Sequence, residues 1–559
     1  MSRASAFGLN GLLGFRPTLS PLLLNMLVAG FIMAEYNQTF WQRNATIFDG
    51  SPLLMAIFGA AVWALTLFIL TLLGFRWLQK PVIVFLLIVS AVTSYYQDTL
   101  GATIDREMIQ NAMTTTITES KHLITMGFIT HVFLSGVLPA LLVLWVRIRP
   151  MGLLRNIWTW GLSLGVSFAL CIGLLLTNMQ AYSVVLRGNK ELMSSYQPGA
   201  PLAGTIRYAR MMMKTAEIVV EPYGLDAVSD EERAAAAKPV LLVIVAGETA
   251  RAQNFSLGGY ARETNPELAK RDIVYYPNAS SCGTATAVSL PCMFSRYGRD
   301  EYSYEKGLSS ENMLDILART GYHVEWWDNN TGDKGNAARL TSRSLIKSTD
   351  PRYCADGECT DGIFLDELAN YAKTMTEDTV LVLHMIGSHG PAYYLRYPPE
   401  FRRFTPTCDT GELSNCTVDE IVNTYDNTIL YTDHILASMI DILEAEANVT
   451  PALFYASDHG ESLGENGLFL HGAPYFLAPE YQTRVPMFFW APERFTKPYA
   501  IDMDCLKAGA SAEVSHDNMF HSLLSFADVH SEVIDRSLDL VDQCHASEAS
   551  EPATPETKP

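Results

Sequence analysis

Val240-Leu-Leu-Val-Ile-Val-Ala-Gly-Glu-Thr-Ala-Arg251 sets the architecture of the larger part of this chain. Seven apolar residues run straight into Gly247, Glu248 and Thr249, the form of a short strand ending in polar side chains. The pattern recurs downstream. His323–Trp327 runs into Asp328, Asn329 and Asn330; Thr379–Met385 into Gly387, Ser388 and His389; Ala452–Ala456 into Ser457, Asp458, His459 and Gly460. A fifth strand is expected over Val485–Trp490. Short apolar runs alternating with polar helical stretches predict an α/β domain with helices on the faces of a sheet. In open α/β sheets ligands bind beyond the carboxyl ends of strands, so four such endings mark one rim.

That rim has the chemistry of a metal site. Glu248, Asp458 and His459 offer two carboxylates and an imidazole, a donor set that suits Zn²⁺ or a similar divalent ion. His389 and His471 are further candidates, for a second metal or for phosphate and proton handling. Such a site activates a hydroxyl nucleophile. The segment Ser280-Ser-Cys-Gly-Thr-Ala-Thr-Ala-Val-Ser289 supplies three, Thr284, Thr286 and Ser289, and chemistry alone does not choose among them. Gly283 permits a tight turn into a helix whose N-terminal amides favour an anionic phosphate. His323, His384 and His434 read as satisfied core histidines, and His122 and His131 receive no role.

Upstream the character changes. The chain has 559 residues, is 48% hydrophobic and has a mean hydropathy of +0.10. Residues 1–200 carry 12 Lys and Arg against 7 Asp and Glu; the remaining 28 and 53 fall in residues 201–559. This excludes a disordered or collagen-like chain and a simple soluble enzyme. The acidic larger part argues against nucleic acid as a partner. Five apolar stretches approach the ~20 residues needed to cross a bilayer: Leu19–Phe40, Leu54–Gly74, Pro81–Tyr96, Leu123–Val146 and Ile157–Thr177. No cleavable signal peptide is expected. Arg3, Arg16, Arg76, Lys80, Arg147, Arg149 and Arg155 lie on one side of these spans, which puts the N-terminus in the cytoplasm and the acidic domain outside it.

Cysteine usage bears on the same point. Cys171 lies in the fifth stretch and the other eight all follow residue 280. An even number at close spacings fits an oxidising compartment, with local pairing of Cys282–Cys292, Cys354–Cys359 and Cys408–Cys416, and Cys505–Cys544 as a possible fourth bridge. The organisation expected is a five-span α-helical membrane domain over residues 1–180 and a linker with membrane-surface helices over 181–239. An extracytoplasmic domain over 240–546, which the family resemblance given below makes a periplasmic catalytic domain, and a disordered tail over 547–559 follow. Within the linker, Tyr208–Lys214 fits either a helix on the membrane surface or an ordinary amphipathic helix.

Gly-Glu-Thr-Ala-Arg at 247–251, Ser-Cys-Gly-Thr-Ala-Thr-Ala-Val-Ser-Leu-Pro-Cys-Met-Phe-Ser at 281–295, Gly-Ser-His-Gly-Pro at 387–391, Ser-Asp-His-Gly-Glu-Ser-Leu-Gly-Glu at 457–465 and Leu-His-Gly at 470–472 stand in order. Together they closely resemble the lipid A phosphoethanolamine transferases, the family that includes the mobile colistin-resistance enzymes. The resemblance covers nearly the whole chain. It implies an alkaline phosphatase/sulfatase-like α/β ectodomain behind five spans, in a multi-pass protein of the bacterial inner membrane. It implies transfer of phosphoethanolamine from phosphatidylethanolamine to lipid A, conferring resistance to polymyxin-like peptides, by a protein expected to be monomeric.

Position by position, the resemblance implies Glu248, Thr286, Asp458 and His459 as zinc ligands, with Thr286 the nucleophile. His389 and His471 match residues that bind the phosphoryl group or assist proton transfer, and Glu461 matches a contact to a second zinc. Asn330 and Lys334 match substrate-holding positions. Asn111 and Glu119 match the region implicated in the ethanolamine head group. One departure is visible: Asp333 and Ala337 stand where family members often carry two cysteines around the lysine, so a disulfide in that loop is missing. Competing readings are a membrane-anchored phosphoglycerol transferase of the same superfamily and, from another class, a non-catalytic sensor or transporter. A sulfatase would need a proline in Cys292-Met-Phe-Ser-Arg296, which lacks one.

Overall fold

The apolar run that opens the larger domain forms a strand buried along its whole length, Val240–Gly247 (β1). Such a strand belongs inside a sheet covered on both faces. The computed structural model describes residues 16–115, 117–215, 218–229 and 238–545, without the side chains of 117–119 and 190. The tail expected over 547–559 lies outside them, as does most of the Glu- and Ala-rich stretch between Ser229 and Lys238. The described chain forms two compact units, one of residues up to Ile109 with Ile124–Tyr208, the other of Gln110–Leu123 with Ala209 onward.

In the second unit β1 lies in an eight-stranded sheet with Val274–Ser280 (β2), His323–Asp328 (β3), Thr341–Ser344 (β4), Thr379–His384 (β5), Thr450–Ser457 (β6), Arg484–Trp490 (β7) and Val514–Ser515 (β8). The order is β8-β2-β7-β6-β1-β5-β3-β4. The four neighbours β6, β1, β5 and β3 are parallel, so their carboxyl ends share one edge. The Val485–Trp490 strand runs antiparallel to β6. β2 and the short edge strands β4 and β8 were not anticipated. Alternate residues of β1 enter different cores: Leu242, Ile244 and Ala246 pack with the helices Met313–Arg319 and Asp517–Phe526, whereas Leu241, Val243 and Val245 pack with Ile363–Thr374 and Val418–Ala445. Disulfides join Cys282 to Cys292, Cys354 to Cys359, Cys408 to Cys416 and Cys505 to Cys544.

The first unit is helical. Its helices up to Leu176 include Pro21–Glu35 (α1), Gln38–Ile47 (α2), Pro52–Leu73 (α3), Gln79–Leu100 (α4), Met126–Trp145 (α5, with a π-helical turn at Val132–Val137) and Leu153–Leu176 (α6). Among the described residues four helical stretches are long and apolar enough to cross a membrane: α3, α4 with the turn before it, α5 and α6. The stretch expected to be shortest, Pro81–Tyr96, is the core of a full-length helix. The first expected span, Leu19–Phe40, is instead divided between α1, of 15 residues, and α2. The cause is Asn37. Fully buried, it leaves the helical conformation, donates to the carbonyls of Ile32 (2.9 Å) and Gln197 (3.2 Å) and accepts from the Gln197 amide (2.9 Å). The Tyr208–Lys214 stretch ends a 17-residue helix, Gly199–Thr215, on which Met211 is buried and Met213 is 72% exposed.

Candidate active site

Every central parallel strand delivers polar groups to the shared edge: Glu248 from β1, Asp458 and His459 from β6, His389 from the loop after β5, and Asn330 from the loop after β3. The loops are held from behind. Thr249, with φ +58, donates its hydroxyl to Glu248 Oε1 (2.5 Å) and its amide to Asp458 Oδ1 (3.2 Å). Asp361 accepts the amides of Ile386 (2.9 Å) and Gly387 (2.8 Å), fixing the loop that carries His389. Gly387 is required there, because a Cβ would lie 2.5 Å from the Glu248 carbonyl and the residue has φ +48.

Thr286 opens the helix Thr286–Met293 (α7). Its Oγ lies 3.1 Å from Glu248 Oε2 and 3.3 Å from His459 Nε2. The other two hydroxyls of the turn are engaged elsewhere. Thr284 donates to the Ala473 carbonyl (2.6 Å); Ser289 donates to the Asp458 carbonyl (2.5 Å) and accepts the Gly283 amide (3.0 Å). Behind the turn His516 accepts the Cys282 amide at Nδ1 (3.1 Å) and donates Nε2–H to the Ser457 carbonyl (3.0 Å). Burial pushes this imidazole down to about 3, so it stays neutral.

The donor atoms fit a cation. Glu248, Asp458 and His459 offer ligand atoms within 4.8 Å of one another, as do His459, Glu461 and His471. Glu248 and Asp458 are essentially inaccessible to water, and Asp458 Oδ2 accepts no hydrogen bond. Burial and the Glu248 charge push the Asp458 carboxyl up to about 6. Burial works against charge on Glu248 as well, but His459, His389 and His471 outweigh it and hold that carboxyl at about 2. Two desolvated carboxylates side by side are the arrangement that a divalent ion relieves.

Histidines and an acid form the next layer. His471 Nδ1 hydrogen-bonds Glu461 Oε2 (2.9 Å), and the carboxylate outweighs burial in raising the pKa of the imidazole. Glu461 Oε1 accepts the Tyr393 hydroxyl (2.5 Å), which burial and that same carboxylate keep protonated. The His471 ring lies 4.4 Å from that of His459 and 5.9 Å from that of His389, centre to centre. Asn330 faces inward: its amide donates to Glu248 Oε2 (2.8 Å) and the Met385 carbonyl (2.8 Å). Lys334, with φ +49, donates to the Thr331 carbonyl (3.0 Å) within its own loop. Asp333 supplies a constraint where the disulfide is missing, accepting the amides of Gly335 (3.1 Å) and Ala337 (3.0 Å). Asn111 is half-buried on the helix Arg106–Thr114; its neighbour Gln110 is buried and reaches the Ala287 carbonyl (3.5 Å), one residue past Thr286. The Glu119 side chain lies outside the described residues.

Residues 241–529 match the sulfatase family model, and residues 62–213 match the model described as phosphoethanolamine transferase EptA/EptB. Phosphoethanolamine transferase EptA of Escherichia coli strain K12 is 39% identical over 536 residues, covering 95% of this chain and 98% of that protein. The chain belongs to the phosphoethanolamine transferase family. Phosphatidylethanolamine transferase Mcr-2 of Escherichia coli is 38% identical over 535 residues, with 92% and 96% covered. The solved structure of the integral membrane protein lipooligosaccharide phosphoethanolamine transferase A from Neisseria meningitidis has a TM-score of 0.91 and 34% identity, over 95% of this chain and 99% of that one. Membership and the disulfides together dispose of a sulfatase-type nucleophile at Cys292, whose sulfur is bonded to Cys282.

Two further residues stand next to the site. His384, expected to be a satisfied core histidine, is fully buried with Nδ1 2.7 Å from Asp328 Oδ1 and Nε2 3.3 Å from the Asn330 amide that holds Glu248. The register of β5 on β3 places His384 opposite Asp328. Burial opposes charge on His384, but Asp328 outweighs it and raises its pKa. Arg251, the end of the opening motif, donates to the Glu461 carbonyl (3.1 Å) and to Glu465 (2.6 Å). The signal for His384 was its place at a strand end, one residue before the segment that leads to His389.

Proposed function

We propose that this transferase moves phosphoethanolamine from phosphatidylethanolamine to a phosphate of lipid A through a covalent intermediate on Thr286. Its setting is the bacterial inner membrane, with the 15-residue α1 counted as a fifth span beside the four longer ones, a cytoplasmic N-terminus and the second unit in the periplasm. The observation that carries this reading is that, of the three hydroxyls in the turn, Thr286 Oγ faces the buried acids, 3.1 Å from Glu248 and 3.3 Å from His459, at the start of α7. The names of the relatives supply the donor class and, for the Neisseria protein, a lipooligosaccharide acceptor.

In the first half-reaction Thr286 Oγ attacks the phosphorus of phosphatidylethanolamine. The Oγ–P bond forms as the bond from phosphorus to the diacylglycerol oxygen breaks. Glu248 orients Oγ and accepts its proton. His471, whose Nδ1 is fixed on Glu461, hands a proton to the departing diacylglycerol oxygen, while His389 binds a phosphoryl oxygen. Asn330 holds Glu248 in place, and the N-terminus of α7 favours the negative charge that develops. In the second half His471 takes the proton of a lipid A phosphate, an oxygen of that phosphate attacks the same phosphorus, and Thr286 Oγ leaves and recovers its proton from Glu248. When bound on Glu248, Asp458, His459 and Thr286, zinc would supply Lewis acidity that eases ionisation of the threonine hydroxyl, and Glu461 would offer a carboxylate to a second ion.

The product carries an ammonium group over a lipid phosphate, which lowers the surface charge that attracts cationic peptides such as the polymyxins. The test is the intact mass of the purified protein after incubation with phosphatidylethanolamine. One phosphoethanolamine mapped to Thr286, and absent from Thr286→Ala, is the expected result. An adduct formed only with phosphatidylglycerol would move the reading to phosphoglycerol transfer, and no adduct with either lipid would overturn the covalent route.

A further inference from the structure

The first unit contains a cavity of about 570 Å³ at one end of its helices, where the start of α1, the end of α3 and the start of α6 converge. That is the size of a small-ligand site, roughly 300–1,000 Å³. Its floor is polar and built: Asn25, Thr71 and Gln79 are all but buried, with Gln79 Nε2 donating to Asn25 Oδ1 (2.8 Å) and Asn25 Nδ2 to Thr71 Oγ1 (3.2 Å). One wall is apolar, formed by Leu22, Leu162 and Trp160, whose Nε1 donates to the Thr71 carbonyl (2.6 Å).

The rim is cationic. Arg76, Arg149 and Arg155 line the opening, and among the described residues none of the three forms an ion pair with a carboxylate. The sequence explains why: residues 1–34, 50–97 and 120–190, which supply every lining residue, contain no Asp or Glu. Residues 1–15 hold one more arginine and no acid, so they cannot neutralise the rim. Arg76 is held with φ +50, a conformation that costs a non-glycine residue energy, and its guanidinium lies 5.2 Å from the ring of Trp77, which is 78% exposed. Three guanidiniums over an apolar wall, with an interfacial tryptophan beside them, have the complementarity of a phosphodiester carrying acyl chains.

We propose that this cavity binds an anionic glycerophospholipid, its phosphate among Arg76, Arg149 and Arg155 and its acyl chains along Leu22, Leu162 and Trp160. The absence of a carboxylate disfavours a zwitterionic head group, because the ammonium of phosphatidylethanolamine finds no partner. The site therefore selects a lipid different from the proposed donor, and the inference does not rest on the catalytic reading.

Native mass spectrometry of the full chain in detergent tests it, with phosphatidylglycerol, phosphatidylethanolamine and inorganic phosphate as separate probes. The wild type is expected to bind phosphatidylglycerol about 10- to 100-fold more tightly than phosphatidylethanolamine, whose ammonium lies among like charges with no carboxylate to meet it. Arg76→Gln/Arg149→Gln/Arg155→Gln should bring the two lipids to within about 2-fold. The corresponding lysine variant, which keeps the charge that orients the spans, should retain most of the preference. Thr159 also lines the cavity, and Thr159→Trp, which fills it and leaves all three arginines in place, should likewise weaken phosphatidylglycerol. Undiminished binding in the Trp variant would make the effect generic surface charge and overturn the proposal. So would equal lipid affinities in the wild type, or binding of inorganic phosphate as strong as that of the lipid.

Discussion

The two units bury polar side chains in opposite ways. In the helical unit the buried groups are neutral, and one cluster of them is mutually bonded: Asn37 bonds the Gln197 backbone, Gln197 Nε2 donates to Gln97 Oε1 (3.1 Å), and Thr93 donates to Gln197 Oε1 (2.9 Å). In the sheet unit the buried groups are ionisable and stand unbalanced, with Glu248 and Asp458 side by side and one carboxylate oxygen accepting nothing. A satisfied neutral network stabilises a particular packing. An unbalanced buried charge destabilises the fold that contains it, and persists where a ligand or a reaction needs it. The difference identifies which polar clusters are architecture and which are chemistry.

Four experiments probe that difference. Asp458→Asn should reduce transfer on the order of 10³-fold, the size of losing a directed electrostatic partner. Because it removes a like charge beside Glu248, the chelator-treated variant should melt no lower than chelator-treated wild type. A variant that melted several degrees lower would put Asp458 with the architecture. Next is the acid response of His516, whose folded pKa of about 3 lies below the ordinary 6.5. The unfolded chain takes up a proton below pH 6.5 that the folded protein refuses. Stability from this group is therefore intact above 6.5 and falls by about 1.4 kcal/mol per pH unit between there and about 3. Melting curves of His516→Asn should show a shallower decline from pH 6.5 to 4, and equal slopes would refute the assignment.

Asn330→Ala should cost roughly 10- to 100-fold in metal affinity by releasing Glu248, with the melting temperature little changed. Metal titration by calorimetry reads this directly, and unchanged affinity would confine Asn330 to a substrate contact. The smallest effect on turnover belongs to the helical unit. Asn37→Ala should lower stability in detergent by about 1–3 kcal/mol while transfer per folded molecule stays at the wild-type rate. A loss of transfer without a loss of stability would show that the neutral network serves the chemistry as well.

Much of this was legible in the residue order because it is local. Apolar runs ending in Glu248, His389 and Asp458-His459 located the strands and the rim, since strand, turn and ligand lie within a few residues of one another. Cysteines 10, 5 and 8 residues apart needed only a local turn to meet. The chemistry of the rim followed from residue type, as did its match to a known family.

Tertiary structure decided whatever depends on residues far apart in the chain. Three hydroxyls in one turn were chemically equivalent until Ala473 and the Asp458 carbonyl engaged two of them and left Thr286 facing the acids. His384 looked like any core histidine until parallel pairing set it opposite Asp328, 56 residues away. The first apolar stretch read as one span, and a contact across 160 residues, Asn37 with Gln197, divided it. Local free energies of a few tenths of a kcal/mol per residue propose helices and strands, and a single buried polar group in need of a partner, worth about 1–3 kcal/mol, overrides them. Which partner it finds is a property of the folded chain.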